Sequence, residues 1–79
     1  MDDEMVSVPR RILEDKRLSM DERGLIVTLA MLGAQREKIY TRDVIYMTGY
    51  SSNAIYKYFH RLAEYGYVTR HGYSYTLNF

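Results

Sequence analysis

The chain has no cysteine, and other features that define large protein classes are missing as well. Without a thiol, neither a disulfide framework nor a thiolate metal site can form. No apolar run approaches the roughly 18 residues of a membrane-spanning helix. The first residues are acidic, whereas a signal peptide begins with basic ones. We therefore expect a soluble, cytoplasmic protein that does not bind membranes.

Motifs for catalysis and cofactor binding are also missing. The chain contains no glycine-rich phosphate loop and no nucleophile motif. Its two histidines, His60 and His71, are too few and too far apart for a metal site. The acidic cluster at residues 2–4 has the character of a tail rather than of an acid/base pair. We predict a protein that is not an enzyme and that binds no metal and no cofactor.

What is present fits one small domain. The 79 residues, of which 47% are apolar and 27% charged, leave no room for a second core. We assign residues 1–79 to a single domain, with 1–5 as a flexible tail. The net charge is +1, but residues 1–37 have eight acidic and six basic side chains, whereas residues 38–79 have five basic and two acidic ones. The positive half favours a polyanionic partner.

The first part of the chain predicts two helices. Pro9 suits the first position of a short helix through Leu13. Ser19 followed by Glu22 is a capping box, and it opens a longer helix that runs to about Gly33. This helix should be central in the core because apolar residues cover more than one of its faces. They are Leu25, Ile26, Leu29, Met31 and Leu32.

The middle of the chain predicts a strand and a third helix. Gly24 lowers the propensity of the preceding helix, so we expect a close helix contact there. A polar connection at residues 35–38 leads into a short strand at 38–40. Thr41 is the expected N-cap of the next helix. The inward-facing residues of that helix should be Val44, Ile45 and Met47.

The stretch from Thr41 to Val68 has the spacing of a helix-turn-helix. A tight turn at Gly49-Tyr50 separates the short helix from a longer one that opens at Ser51 or Ser52. The longer helix has one apolar stripe. It consists of Ile55, Phe59 and Leu62, flanked by Tyr58 and Ala63. Gly66 stands where a helix requires a left-handed stop.

Two short strands follow, with an expected loop at His71-Gly72 that pairs Arg70 with Tyr73. One face of this hairpin should close the core, namely Val68, Tyr75 and Leu77. The other should face water, namely Ser74, Thr76 and Asn78. The predicted fold class is mainly α with a small β-hairpin (α+β). We expect a winged helix-turn-helix with three core helices, a short N-terminal helix and a C-terminal sheet of two or three strands.

The outer face of the helix at about 52–65 carries residues suited to DNA. Asn53 can bond bidentately to adenine, Tyr56 can contact a thymine methyl or a phosphate, and Lys57 can neutralise a phosphate. The full candidate set is Arg42, Ser51, Ser52, Asn53, Tyr56, Lys57, His60, Arg61, Arg70 and Tyr73. A solvated helix with an N-cap serine explains several of these residues without DNA. The nine tyrosines suit protein interfaces and phosphate contacts equally well.

The residues from Thr48 to Val68 resemble the winged helix-turn-helix of bacterial and phage DNA-binding proteins. They read threonine-glycine, an aromatic residue, serine, a helix ending in arginine-leucine, then glycine and an apolar strand. The opening, Val8 to Leu13 followed by Leu18-Ser19, is similar to the helix-turn-helix domain of phage and plasmid replication initiators and replisome organisers. The resemblance implies a wing at 70–73 and recognition-helix positions for Ser51, Ser52, Asn53, Tyr56, Lys57 and Arg61. Two features depart from the family, because Ile45 replaces a small alanine and the wing has few basic residues.

We therefore predict sequence-specific binding of double-stranded DNA, as a homodimer, in a phage or mobile-element transcription regulator or replication protein. The alternative is a winged-helix module that binds a replication, transcription or host-defence protein. The thin wing and the tyrosines favour the alternative, whereas the charge division and Asn53 favour DNA. A third interpretation is a domain of a larger replication initiator.

Overall fold

The computed structural model describes residues 5–34 and 37–79, and the elements follow the predicted order. They are α1 (Arg10–Leu13), α2 (Met20–Gly33), β1 (Ile39–Tyr40), α3 (Thr41–Thr48), α4 (Ser52–Glu64), β2 (Val68–His71) and β3 (Ser74–Leu77). Within these ranges the chain forms a small α+β domain of four helices and a three-stranded antiparallel sheet. Residues 1–4 of the predicted tail and residues 35–36 of the predicted polar connection lie outside the described residues.

Both N-terminal helices begin close to their predicted starts. Pro9 is the N-cap of α1 rather than its first residue, a difference of one position. The capping box of α2 is confirmed. The Ser19 hydroxyl accepts from the Glu22 backbone N–H at 3.1 Å, and a Glu22 carboxylate oxygen accepts from the Ser19 N–H at 2.8 Å. Two backbone donors of the first turn are thereby satisfied.

The same Glu22 carboxylate links α2 to α4. Its side chain is fully buried, and its second oxygen lies 3.2 Å from Nε of Arg61. The Arg61 guanidinium also donates to the Tyr65 hydroxyl at 2.9 Å and to the Arg17 carbonyl at 3.3 Å. A buried carboxylate without a cation would be strongly unfavourable. Arg61 therefore has a structural role inside the domain.

A second polar cluster connects the loop after α1 to the segment after α4. Arg17 donates to the Asp15 carboxylate at 2.7 Å and lies over the Tyr65 ring, 4.3 Å from its centroid. The Tyr67 hydroxyl donates to the same carboxylate. The Arg17 guanidinium, helped by the Tyr67 hydroxyl, holds the pKa of Asp15 well below its usual range. The ionised form of Asp15 therefore stabilises the folded chain.

The core face of α2 is largely as predicted, but its outer face is not. Leu25, Ile26, Leu29 and Leu32 are buried. Met31 is exposed, and a Cβ at Gly24 would meet no other element within 4 Å, so the predictions of a core Met31 and of a close contact at Gly24 are wrong. Both residues instead line an open groove between α2 and the elements that follow it. The close approach occurs instead at Gly33, where a Cβ would lie 2.7 Å from Cδ1 of Leu77.

The start of α3 differs from the prediction. Tyr40, in extended conformation, is the N-cap, and no side chain caps the helix. Thr41 is already helical and buried, so its predicted capping role is wrong. Val44 is buried as expected, but Met47 is exposed because α3 is short and packs through one side only. Ile45 is half-buried against the core.

The α4 helix confirms its predicted stripe and both of its ends. Ile55, Phe59 and Leu62 are buried, and Tyr58 and Ala63 pack beside them. The Ser51 hydroxyl caps the N-terminus by accepting from the Ala54 N–H at 3.2 Å. At the other end Gly66 has φ +82°, and the Tyr67 N–H bonds to the Leu62 carbonyl at 2.9 Å. This is the Schellman arrangement that a left-handed glycine permits.

The sheet has the order β1-β3-β2, so β3 is the central strand. Arg70 lies opposite Tyr75 rather than Tyr73, and the two-residue loop is Gly72-Tyr73 rather than His71-Gly72. Gly72, with φ +67°, takes the first loop position, where two-residue hairpins often require glycine.

The predicted core face of the hairpin survives this change, because a shift of two residues preserves strand faces. Val68 and Tyr75 are buried, and Tyr75 stacks on Phe59 with ring centroids 4.0 Å apart. Leu77 is half-buried. Ser74 was predicted to face water but is buried, because β1 pairs with β3 and places Tyr40 opposite it. In the part of the chain that the structure describes, no helix is long and apolar enough to cross a bilayer.

Replacing Arg61 should destabilise the fold. We expect Arg61→Ala to lower the free energy of unfolding by at least about 2 kcal/mol, as judged by urea denaturation. Breaking a fully buried ion pair costs roughly 3–5 kcal/mol, and this pair should cost less because the Arg61 side chain is 40% exposed. Lys16→Ala removes the same charge from an exposed position and should stay within about 0.5 kcal/mol. Equal effects of the two variants would refute a structural role for the Arg61 pair.

Acid should weaken the domain through Asp15. Because its folded-state pKa is lowered, its stabilising contribution is present above its unfolded pKa of about 3.9 and is lost as the pH falls. Urea unfolding should show a drop in stability below about pH 4, and Asp15→Asn should remove much of that drop. Glu14→Gln should not, because the ion pair of Glu14 with Arg10 is exposed to solvent. The same acid dependence in wild type and Asp15→Asn would contradict the assignment.

Candidate nucleic-acid interface

Tyr56, on the outer side of α4, lies between two surface cavities. The first, of about 350 Å³, is lined by Tyr40, Thr41, Arg42, Tyr56 and Tyr73. The second, of about 250 Å³, is lined by Tyr56, Phe59, His60, Ala63, Arg70 and Tyr75. We call these two linings together the Tyr56 surface. It brings together five of the candidate residues, namely Arg42, Tyr56, His60, Arg70 and Tyr73.

The strand β1 and the start of α3 hold one side of this surface. β1 pairs with β3, which places Tyr40 beside the hairpin. Arg42, two residues further on, lies over the Tyr40 ring with its guanidinium carbon 5.2 Å from the centroid. A cation over an aromatic face is attracted by the ring quadrupole. Tyr40 therefore holds the Arg42 charge at the edge of the first cavity.

The hairpin loop forms the other side. Arg70 donates through Nε to the Gly72 carbonyl at 2.9 Å, so its side chain follows the loop. Tyr73, the second residue of the two-residue loop, is 81% exposed. His71 lies 3.0 Å from the Thr76 hydroxyl across the hairpin. One cation and one aromatic ring thus stand at the loop, next to α4.

The N-terminal half of α4 extends the Tyr56 surface. Ser52, Asn53 and Lys57 are exposed, and Asn53 and Lys57 are one turn apart on the same side of the helix. Tyr56 follows Asn53 by three residues, so the amide, the ring and the ammonium are neighbours. The Ser51 hydroxyl accepts from the Ala54 N–H, which accounts for that residue structurally.

Two further candidates, Arg61 and His60, lie beside carboxylates of the domain. Arg61 follows Lys57 by one turn, but its guanidinium turns toward Glu22 and Tyr65 and lines neither cavity. Hydrogen bonding to Tyr65 and the nearby Glu22 carboxylate raise the pKa of Arg61. His60 lines the second cavity, with Nε2 2.9 Å from a Glu64 carboxylate oxygen.

Five residues of the surface were not among the candidates, and two of them, Tyr40 and Thr41, line the first cavity. Tyr40 was predicted as part of a strand, and its position beside Tyr56 and Tyr73 follows from the pairing of β1 with β3. Thr41 lines the first cavity and is buried, and among the described residues its hydroxyl has no hydrogen-bond partner. The sequence did place an aromatic residue, Tyr40, two positions before a cation, Arg42, and this spacing was the available signal for including Tyr40 in the site.

A separate groove of about 440 Å³ lies between α2 and α3. Its lining includes Met20, Met31 and Met47, all exposed. At its rim the Tyr50 and Tyr58 hydroxyls donate to the Asp21 carboxylate at 2.9 and 3.0 Å. These bonds raise the pKa of both tyrosines. The groove is therefore apolar at its base and hydrogen-bonded at its rim.

No protein-family model, curated protein or solved structure matches this chain.

Two glycine substitutions should show the effect of backbone strain, because an added Cβ is crowded at neither position. A Cβ at Gly72 or at Gly24 meets nothing within 4 Å, but only Gly72 has a positive φ. We expect Gly72→Ala to lower the free energy of unfolding by roughly 1–2 kcal/mol. Gly24→Ala, in the helix interior, should raise it by up to about 1 kcal/mol. Thermal unfolding monitored by circular dichroism measures both. Equal changes would contradict the left-handed loop at Gly72.

Proposed function

We propose that this chain is a winged helix-turn-helix module that binds double-stranded DNA with sequence preference. α3 and α4 are the helix-turn-helix, α4 enters the major groove, and the β2–β3 loop is a short wing. The biological setting we propose is a phage or mobile-element transcription regulator or replication protein. Binding as a homodimer on two half-sites would raise the affinity of so small a module.

The observation that carries this proposal is the Tyr56 surface and its extension along α4. Asn53, Tyr56 and Lys57 form an exposed face of a helix. Arg42 stands on one side of Tyr56 and Arg70 on the other. A helix that offers a base-reading amide between phosphate-binding cations is the arrangement by which helices read the major groove.

The local geometry around α4 supports the winged helix-turn-helix assignment. Gly49, with φ +73°, ends α3 and allows the chain to reverse within three residues before α4 starts at Ser52. The Gly66 stop then sends the chain directly into β2, so the hairpin lies against α4 through the Phe59–Tyr75 stack. The short strand β1 adds the third member of the sheet.

Salt dependence gives the proposal a quantitative form. The elements of this surface and the residues next to them carry four exposed cations, namely Lys38, Arg42, Lys57 and Arg70. Arg61 is left out because it pairs with Glu22. Four phosphate contacts give a slope of log K against log salt of roughly −3 to −4 per subunit.

Titration of a fluorescein-labelled, random-sequence duplex at two salt concentrations tests the proposal. We expect binding at low salt that weakens with the slope above. Lys57→Ala should make the slope less steep by about 1 and should weaken binding to a similar degree for all sequences. Asn53→Ala, tested on a duplex selected by the wild-type protein, should reduce discrimination at one base pair, worth about 1–3 kcal/mol.

Arg11→Ala is the matched control, because it removes an exposed cation from α1, away from the Tyr56 surface. The affinity of this variant for the duplex should stay within about twofold of the wild-type affinity, and its salt slope should be nearly unchanged. Binding that is absent at low salt, or equally sensitive to Arg11→Ala and Lys57→Ala, would exclude the proposed interface.

A second candidate function is binding to a replication, transcription or host-defence protein through the same fold. The observation that favours it is the methionine-lined groove between α2 and α3, since flexible methionines suit adaptable protein contacts. This function predicts no salt-dependent signal in the duplex titration. The two candidates are therefore separated by one experiment.

A further inference from the structure

The first cavity of the Tyr56 surface is built mainly from aromatic rings. Tyr40, Tyr56 and Tyr73 come from β1, α4 and the hairpin loop and line one space of about 350 Å³. All three side chains remain substantially exposed. Ligand pockets span roughly 300–1,000 Å³, so this one suits a ligand the size of a single nucleotide. Three converging tyrosines are more than a phosphate contact requires.

The lining also determines the charge of the ligand. Cages of aromatic residues can hold quaternary ammonium groups, which are attracted to ring faces. Here the charged group of the described lining is a cation, Arg42, over the Tyr40 ring. A second cation would be repelled. The cavity therefore favours a flat aromatic ligand that carries a negative charge near Arg42.

Two polar features lie next to the three rings, a buried hydroxyl and the start of a helix. The buried Thr41 hydroxyl has no hydrogen-bond partner among the described residues. The eight-residue helix α3 starts at Thr41, and no side chain caps it. Helix N-termini attract phosphate through unpaired N–H groups and the helix dipole. The Thr41 hydroxyl, the start of α3 and Arg42 thus supply polar groups next to the three rings.

We propose that the cavity formed by Tyr40, Tyr56 and Tyr73 binds one unpaired base of a DNA strand, with the neighbouring phosphate on Arg42. The inference rests on the proposed contact of DNA with the Tyr56 surface. A base inside an intact duplex is stacked on both sides and cannot enter such a cavity. An unpaired base can stack on the tyrosines whatever its identity, because every base has a π-face. The module would therefore prefer DNA whose pairing is interrupted.

The test compares two fluorescein-labelled duplexes of the same sequence. One is fully paired, and the other has a single unpaired 2-aminopurine at its centre. We expect the interrupted duplex to bind about 5- to 150-fold more tightly, the range for one base stacked on aromatic side chains. The 2-aminopurine emission should change on binding, because it depends on what the base stacks against.

Variants of Tyr40 test whether the cavity causes the preference for the interrupted duplex. Tyr40 belongs to the Tyr56 surface and lies beneath Arg42, so its loss can weaken the binding of both duplexes. The quantity that tests the cavity is the ratio of the two affinities, and Tyr40→Ala should bring the preference for the interrupted duplex to within about twofold of unity. Tyr40→Phe keeps the ring and should keep the preference. If Tyr40→Ala fails to fold by circular dichroism, Tyr73→Ala in the exposed loop measures the loss of preference instead.

Each outcome has a distinct meaning. Equal binding of the two duplexes, or unchanged 2-aminopurine emission, overturns the unpaired-base site and leaves paired-duplex binding intact. Tight binding of the interrupted duplex alone supports the site and overturns paired-duplex recognition. Failure of both duplexes to bind at low salt overturns both proposals.

Discussion

The buried carboxylate of Glu22 joins the two halves of the domain. One of its oxygens caps α2 by accepting from the Ser19 N–H, and the other faces Arg61 of α4. A charge with no solvent access depends on both partners, because either loss leaves it uncompensated. The pair therefore fixes how α4 rotates against α2. With Arg61 turned inward, Lys57 one turn earlier stays exposed, and the side of α4 that faces solvent is defined.

The sequence predicted those parts of the fold that local rules decide. The capping box, the Gly66 stop and the Ile55–Phe59–Leu62 stripe depend on residues within a few positions of one another, and all are present. The N-cap at Thr41 and the hairpin loop, which are also local, were wrong, and so were some features that depend on distant partners. Whether Met31 is covered, for example, depends on which side of α2 the other elements occupy. Ser74 is buried only because β1 joins β3 as a third strand.

The candidate site was predictable to a similar extent. The period of α4 was enough to place Asn53, Tyr56 and Lys57 on its outer side. It did not show that Arg61 belongs to a buried ion pair, because Glu22 lies far away in the sequence. Nor did it show that Tyr40 would join Tyr56 and Tyr73. Helical periodicity gives the direction of a side chain, whereas its neighbours come from tertiary pairing.

The pairing of the two-residue strand β1 with the central strand β3 has a consequence for cooperativity. Ile39 and Tyr40 pair with Tyr75 and Ser74, which are far along the chain, so these contacts form against the entropy of closing a long loop. The wall of the first cavity that holds Tyr40 exists only when the hairpin is docked. Local opening of the C-terminal strands would therefore dismantle the cavity while α2 and its capping box remained folded. The stability of this small sheet sets the fraction of molecules in which all three tyrosines are assembled.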